Sequence, residues 1–152
     1  MDVIEEVIRK KSSVKTKNWR KAHKQIKALL EQKFDFSQVY EETFKHYEEK
    51  NKLYLEIYCI SSLDQYSKLK LELDIDIQTE DLVGNVNIAS TATLITTYPE
   101  DTPFRKSLFY FALRSMWDKI YYGWARAKFR DFAKQLSNDV NEQLIEFLST
   151  VK

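Results

Sequence analysis

The spacing of apolar positions changes twice along the chain. Near the start, Val3, Ile4, Val7 and Ile8 recur at helical spacing before the basic run Arg9 to Lys17. A helix is the first reading there, with a strand through Val7 to Val14 as the alternative, because short apolar runs fit either period. From Trp19 the pattern is clearer. Trp19, Ala22, Ile26, Leu29 and Leu30 share one helical face, and Asn18 stands where an N-cap side chain accepts a first-turn N–H. Asp35 and Gln38, with Phe34 just before them, have the form of a capping box and predict a second helix from about Phe36 to Glu49, closed by Asn51.

From Lys52 the period becomes two. Leu53, Leu55, Ile57 and Cys59 alternate with Tyr54, Glu56 and Tyr58, and Leu69, Leu71, Leu73, Ile75 and Ile77 alternate with lysines and acids. These are strands with one wet face. A third strand has Val86, Ile88, Ala92 and Leu94 inward. Its hairpin closes either at Thr79 to Asp81 or at Gly84-Asn85, and the second choice sets Ile75 against Leu94 and Ile77 against Ala92. Pro99 and Pro103 end the sheet, and Pro103 suits the first position of a helix. That helix runs to about Leu136, with Ser137, Asn138 and Asp139 starting a shorter last one. Its residues fall on two opposite apolar faces: Phe109, Leu113, Met116, Trp117, Ile120 and Trp124, and then Phe104, Leu108, Phe111, Tyr122, Phe129, Ala133 and Leu136. A sheet can bury one. The second needs the N-terminal helices, another molecule or an apolar ligand, with Trp117, Tyr121, Tyr122 and Trp124 as the candidate pocket or dimer-interface residues.

The expected fold is therefore α+β, one domain over residues 1–152, with N-terminal helices, a three-stranded antiparallel meander, an extra N-terminal strand if the alternative reading holds, and a long C-terminal helix on one sheet face. Composition narrows the chemistry. Two glycines far apart, Gly84 and Gly123, cannot build a phosphate-cradling loop, and a single cysteine excludes a disulfide framework or a multi-cysteine zinc site. The longest apolar run, Leu108 to Leu113, is far short of a bilayer span, and no secretory signal opens the chain, so a soluble cytoplasmic protein is expected.

The net charge of +1 conceals an uneven layout. Lys and Arg outnumber Asp and Glu by 9 to 3 in residues 1–27, are outnumbered 6 to 15 in 28–102, and lead 9 to 5 in 103–152. On a continuous N-terminal helix Arg9, Lys10, Lys17, Arg20, Lys21, Lys24 and Lys27 would share one side, joined by Arg126, Lys128, Arg130 and Lys134 if the terminal helices lie side by side. Such a face suits an anionic partner, nucleic acid or an acidic protein. His23, His46 and Cys59 lack the spacing of a nucleophile with its base, and Glu72, Asp74 and Asp76 form a row on a strand face that diverges rather than converging on a metal. No catalytic residue, metal or cofactor is expected.

Two resemblances add to this. Tyr98-Pro99-Glu100-Asp101-Thr102-Pro103 resembles the Y-P-x-x-x-P turn of RWD domains, which implies an α+β interaction module in which the turn follows a meander. The architecture, an antiparallel sheet closed by a long C-terminal helix, is similar to that of helix-grip domains, which implies an apolar ligand between sheet and helix and more strands than the meander supplies, unless the N-terminal segment adds one. The expected function is a non-enzymatic binding domain docking an anionic partner on its basic N-terminal helix, with a carrier of an apolar ligand and a homo-oligomeric subunit as the alternatives.

Overall fold

The computed structural model describes residues 2–99, 102–120 and 122–152, apart from the side chain of Lys106. Its centre is a five-stranded antiparallel sheet: β1 (Asp2–Thr16), β2 (Gln38–Tyr47), β3 (Lys52–Ser62), β4 (Ser67–Glu80) and β5 (Val83–Thr97), in the spatial order β1-β5-β4-β3-β2. Helix α1 (Trp19–Lys33) joins β1 to β2, and after β5 come α2 (Leu108–Ile120) and α3 (Gly123–Thr150). Because β1 and β2 lie at opposite edges, α1 must cross the sheet, and it does so on the face that α3 also covers. The class is α+β as the pattern implies, but the sheet has five strands rather than three.

The three central strands follow the period-two reading. Leu53, Leu55, Ile57 and Cys59 of β3, Leu69 to Ile77 at alternate positions of β4, and Val86, Ile88, Ala92 and Leu94 of β5 are all buried. Each such Leu or Ile contributes about 1.5–3 kcal/mol on leaving water. The β4–β5 hairpin closes through Asp81 and Leu82, next to the first of the two predicted turns, so the register sets Ile75 against Ile88 and Ile77 against Val86. Asp81 takes the left-handed conformation at φ 55°, which a short polar side chain tolerates. Gly84 lies inside β5 instead. A Cβ there would stand 2.8 Å from Ile77 Cγ2 and 3.1 Å from Trp19 Cβ, so its smallness lets α1 start close against the sheet. Trp19 completes that joint by donating its N–H to Leu82 O and its Nε1–H to Asp81 O.

At the edges, β1 follows the strand alternative for the N-terminal segment rather than the first, helical reading, and β2 stands where a helix was expected. In β1 a bulge at Val7, where the pairing steps from Glu6–Thr93 to Ile8–Ala92, shifts the phase and turns alternation into apparent helical spacing. Its inward positions Lys10 and Ser12 are polar because α3 supplies partners: Lys10 donates to Asn138 Oδ1 at 3.0 Å and Ser12 to Asn141 Oδ1 at 3.4 Å. In β2 a bulge between Glu41 and Thr43 has the same effect, and Phe44 stacks on His23 of α1 at 5.5 Å. Asn51 is left-handed as expected, but it closes a single 3₁₀ turn (Glu48–Lys50) between two strands.

The predicted long helix is two. A 3₁₀ turn (Phe104–Lys106) precedes α2, Ser107 between them accepts from Tyr110 N through its Oγ, and α3 starts afresh at Gly123. The predicted break at Ser137 to Asp139 is absent, since α3 runs through it. There Ser137 and Asn141 are buried, and Asn141 donates to Ser90 Oγ at 2.7 Å: the polar residues that look like a cap form the seam between α3 and the sheet. None of the described helices is long and apolar enough to cross a membrane.

Candidate functional site

α1 and α3 cover the inner sheet face, but α2 stands outside that sandwich. Four of its side chains turn toward the body: Tyr110, Phe111, Arg114 and Asp118 are half-buried, while Phe109, Leu113, Met116, Trp117 and Ile120 are exposed. No described residue of α2 is buried. An amphipathic helix ordinarily does the reverse. Of the two apolar faces read from the sequence, Phe129, Ala133 and Leu136 pack inward on α3, whereas Phe109 to Trp124 faces out, together with Phe104 and Leu108 of the other set.

Between α2 and the end of the sheet lies a cleft of about 600 Å³. Gln65 and Tyr66 of the β3–β4 turn, Tyr98 and Pro99 after β5, Phe104 and Arg105 of the 3₁₀ turn, and Tyr110, Leu113, Arg114, Met116 and Trp117 of α2 line it. The walls are mostly aromatic and apolar. Tyr66 and Tyr98 stack at 6.3 Å, and the Arg114 guanidinium lies 4.9 Å over the Tyr98 ring. A size of this order with few polar groups matches sites for small apolar molecules.

A hydrogen-bonded frame supports the cleft. Tyr98 donates its phenol to Asp118 Oδ1 at 2.5 Å, and Arg126 Nη1 donates to Asp118 Oδ2 at 3.1 Å. Tyr122 donates to Asp64 Oδ2 at 2.5 Å and contacts Ser67 Oγ at 2.7 Å, while Asp64 Oδ1 accepts the N–H groups of Tyr66 and Ser67. Burial and then the Asp118 hydrogen bond push the Tyr98 phenol up, and burial and then Asp64 push Tyr122 up to about 12. Both are neutral donors at any ordinary pH.

The sequence-predicted residues divide. Trp117 lines the cleft, Tyr122 braces it, Trp124 is exposed beside Lys128, and Tyr121 lies outside the described residues. The aromatics Tyr66, Tyr98 and Phe104 were missed as lining, because they come together only when the β3–β4 turn and the end of β5 meet α2. The basic residues do not form one surface. Arg9 and Lys10 belong to β1, where Arg9 pairs with Glu6 at 3.0 Å. Arg126 is buried on Asp118, and Arg130 is held by both oxygens of Glu5 at 2.6 and 3.2 Å. Lys17, Arg20, Lys21 and Lys24 are exposed, as are Lys128 and Lys134, while Lys27 is half-buried and 3.8 Å from Glu31. The bonds joining α1 to α3 run from Lys21 to Lys152 O and from Lys33 to Gln143, so α1 lies along the last third of α3, away from Arg126 to Lys134.

The other chemistry-bearing side chains are placed as follows. Cys59 is buried, and burial pushes its thiol up to about 12. His23, its pKa lowered chiefly by burial, lies against Trp19 and Phe44. On the outer sheet face the acidic row does converge, because Glu56 comes across from β3: carboxylate oxygens of Glu56, Glu72 and Asp74 lie within 4.8 Å of one another. These are the described residues that could hold a cation. Tyr58 donates to Glu56 at 2.6 Å, Tyr54 to Asp74 at 2.9 Å, and Lys70 stands 3.5 Å from Glu72, which already accounts for the grouping. Compared with known proteins, the chain matches no family profile and no curated sequence.

Proposed function

We propose that the protein is a non-enzymatic binding protein that holds a small apolar molecule in the cleft under α2. The observation that carries this reading is the lining itself: Tyr66, Tyr98, Phe104, Leu113, Met116 and Trp117 around about 600 Å³, with polarity concentrated at Arg105, Arg114 and Gln65. The N-terminal segment does supply a further strand, which the likeness to helix-grip architecture requires. The ligand site, however, lies beyond the sheet end under α2, not between the sheet and α3. The test is native mass spectrometry of the purified chain, together with titration of an apolar fluorescent dye. A co-purified small molecule, or dye binding indifferent to salt and weakened about tenfold or more by Gln65→Trp, which fills the cleft from the turn, supports the reading. Dye binding unaltered by that substitution, with no co-purified molecule, overturns it.

A second reading rests on α1. Lys17, Arg20, Lys21 and Lys24 are exposed near its start, so a nucleic-acid backbone or an acidic protein surface would find a compact cationic patch there. It requires salt-dependent binding of oligonucleotides or acidic polypeptide, lost on charge reversal at Lys17, Lys21 and Lys24.

A further inference from the structure

We propose that two copies of the chain join through the open edge of β1, which pairs antiparallel with the β1 of the second copy to make one continuous sheet. β1 lies at the end of the strand order, and none of the backbone hydrogen bonds beyond the sheet and the helices reaches residues 2–16. Its outer row of N–H and C=O groups is therefore unpaired among the described residues, over a strand of 15 residues. A long open edge is a template for another strand, and charges and bulges ordinarily blunt it. In β1 both devices are arranged about one point. Exposed and half-buried residues alternate from Asp2, the bulge repeats the half-buried class at Val7 and Ile8, and the alternation then resumes in the opposite phase. From Asp2 to Ser13 the pattern consequently reads the same from either end. A dyad between Val7 and Ile8, perpendicular to the sheet, sets Val3 against Ser12, Ile4 against Lys11 and Glu6 against Arg9, each pair on one face of the joint sheet. In a strand without the bulge these pairs, each of odd separation, would point to opposite faces and the register would fail.

Charge selects a second copy as the occupant. Asp2, Glu5 and Glu6 precede the dyad with no base among them, and Arg9, Lys10, Lys11 and Lys15 follow it with no acid. Antiparallel pairing about that point brings the acidic half of each strand to the basic half of the other. Part of this charge is already answered within one chain, since Glu6 pairs with Arg9 and Glu5 with Arg130. The second copy answers the remainder. The side chains of Asp2, Lys11 and Lys15 are exposed and have no hydrogen bond or ion pair among the described residues, and Lys10 reaches only the neutral Asn138 amide. Across the dyad Asp2 stands opposite Ser13, with Lys11 and Lys15 as its diagonal neighbours on the same face, and Lys10 stands opposite Glu5. Ile4, 66% exposed, meets the aliphatic stem of Lys11. Parallel pairing in register would set like charges together, and a one-residue slip would set opposite faces together. Complementary charge of this kind fixes register more than it adds affinity. The backbone ladder, about 40 Å long from Asp2 to Ser13, supplies the affinity. None of this depends on the cleft holding a ligand.

The experiment is analytical ultracentrifugation of the full chain across the micromolar range. The expected result is a dimer that salt weakens and whose dissociation constant rises about tenfold or more in Lys11→Glu with Lys15→Glu. Neither lysine has a partner in its own chain, so the protomer should stay folded, which circular dichroism verifies. Cross-linking then reads the register. Ile4→Cys with Lys11→Cys should give a disulfide-linked dimer under a mild oxidant, whereas Ile4→Cys with Lys15→Cys should not. Positions 4 and 11 are about 23 Å apart along one strand and cannot bridge within a chain, and the native Cys59 is buried. The proposal is overturned if the wild-type chain stays monomeric across that range, if the Lys11 and Lys15 reversals leave a dimer intact, or if the two cysteine pairs cross-link equally. A dimer dissolved instead by Phe109→Glu with Ile120→Glu belongs to α2, and it too rejects the β1 edge.

Discussion

Arg126, on the first turn of α3, donates from Nη1 to Asp118 Oδ2, near the end of α2, at 3.1 Å. Arg126 is 8% exposed, and neither its Nε nor its Nη2 has a hydrogen-bond partner among the described residues. Its charge is therefore compensated mainly by that single carboxylate, which Tyr98 also engages. This joint sets where α2 stands relative to α3 and to the end of the sheet, and hence the shape of the cleft.

Asp118→Asn keeps an oxygen in place but removes the charge that Arg126 was buried against. Leaving a buried cation unanswered is costly, so the substitution should destabilise the fold by about 2–3 kcal/mol. Arg126→Met, which removes the cation and keeps much of its volume, should cost less, and restoring an apolar partner in the double variant less still. Urea unfolding of the three variants checks this. Equal costs for Asp118→Asn and Arg126→Met would show that the pair is not what holds the joint.

Gly84→Ala places a methyl group 2.8 Å from Ile77 Cγ2 and 3.1 Å from Trp19 Cβ, at the point where α1 leaves the sheet. Neither neighbour is the free end of a flexible side chain, so overpacking should cost about 1–3 kcal/mol. Gly123→Ala is the contrast. Its new methyl group meets Asp118 O at 3.7 Å, an ordinary contact, and alanine gains up to about 1 kcal/mol over glycine in a helix. Thermal unfolding should move in opposite directions for the two.

How much of this was legible in the sequence follows from where the period survives. β3, β4 and β5 are regular ladders with one dry face, so Leu53 to Cys59 and Leu69 to Ile77 announce themselves. α1 is equally plain, with Asn18 Oδ1 accepting from Lys21 N as its cap implies. The edges were illegible because each carries a bulge, and because Lys10 and Ser12 face inward toward Asn138 and Asn141, whose positions only the fold supplies. The two opposite apolar faces of the C-terminal segment were visible, but not the break before Gly123 that lets one turn inward and the other outward. For the same reason Trp117 could be singled out, while Tyr66 and Tyr98, drawn from a turn and a strand end, could not. The basic residues were counted correctly and placed wrongly: the segment expected to be one helix is a strand followed by a helix.

The Cys59 thiol should be inert in the native protein. It is fully buried on the inner face of β3 opposite Leu71, and burial alone pushes it up to about 12, so the reactive thiolate is both scarce and inaccessible. A thiol-reactive chromophore at mild alkaline pH should label it only as fast as the protein unfolds, and at full stoichiometry in urea. Rapid labelling without denaturant would mean that β3 opens locally.

The alkaline limit of stability should be set in part by Tyr122. Its phenol rises from 10.0 to about 12 in the fold, through burial first and then through the hydrogen bond it donates to Asp64. A raised pKa means that the native state holds this proton more tightly than the unfolded chain does. The associated stability is fully present below pH 10 and is lost as the pH rises from 10 toward 12. Tyr98, raised by burial and by Asp118, adds to the same trend from the other side of the frame. Tyr122→Phe should therefore be less stable than the wild type by about 1 kcal/mol near neutral pH, where the hydrogen bonds to Asp64 and Ser67 are lost. The gap should close across that alkaline interval, because the wild type alone then loses a proton that its fold requires. Urea midpoints at stepped pH, with phenolate absorbance followed in parallel, read this directly: a gap that stays constant through the interval would show that Tyr122 ionises without consequence for the fold.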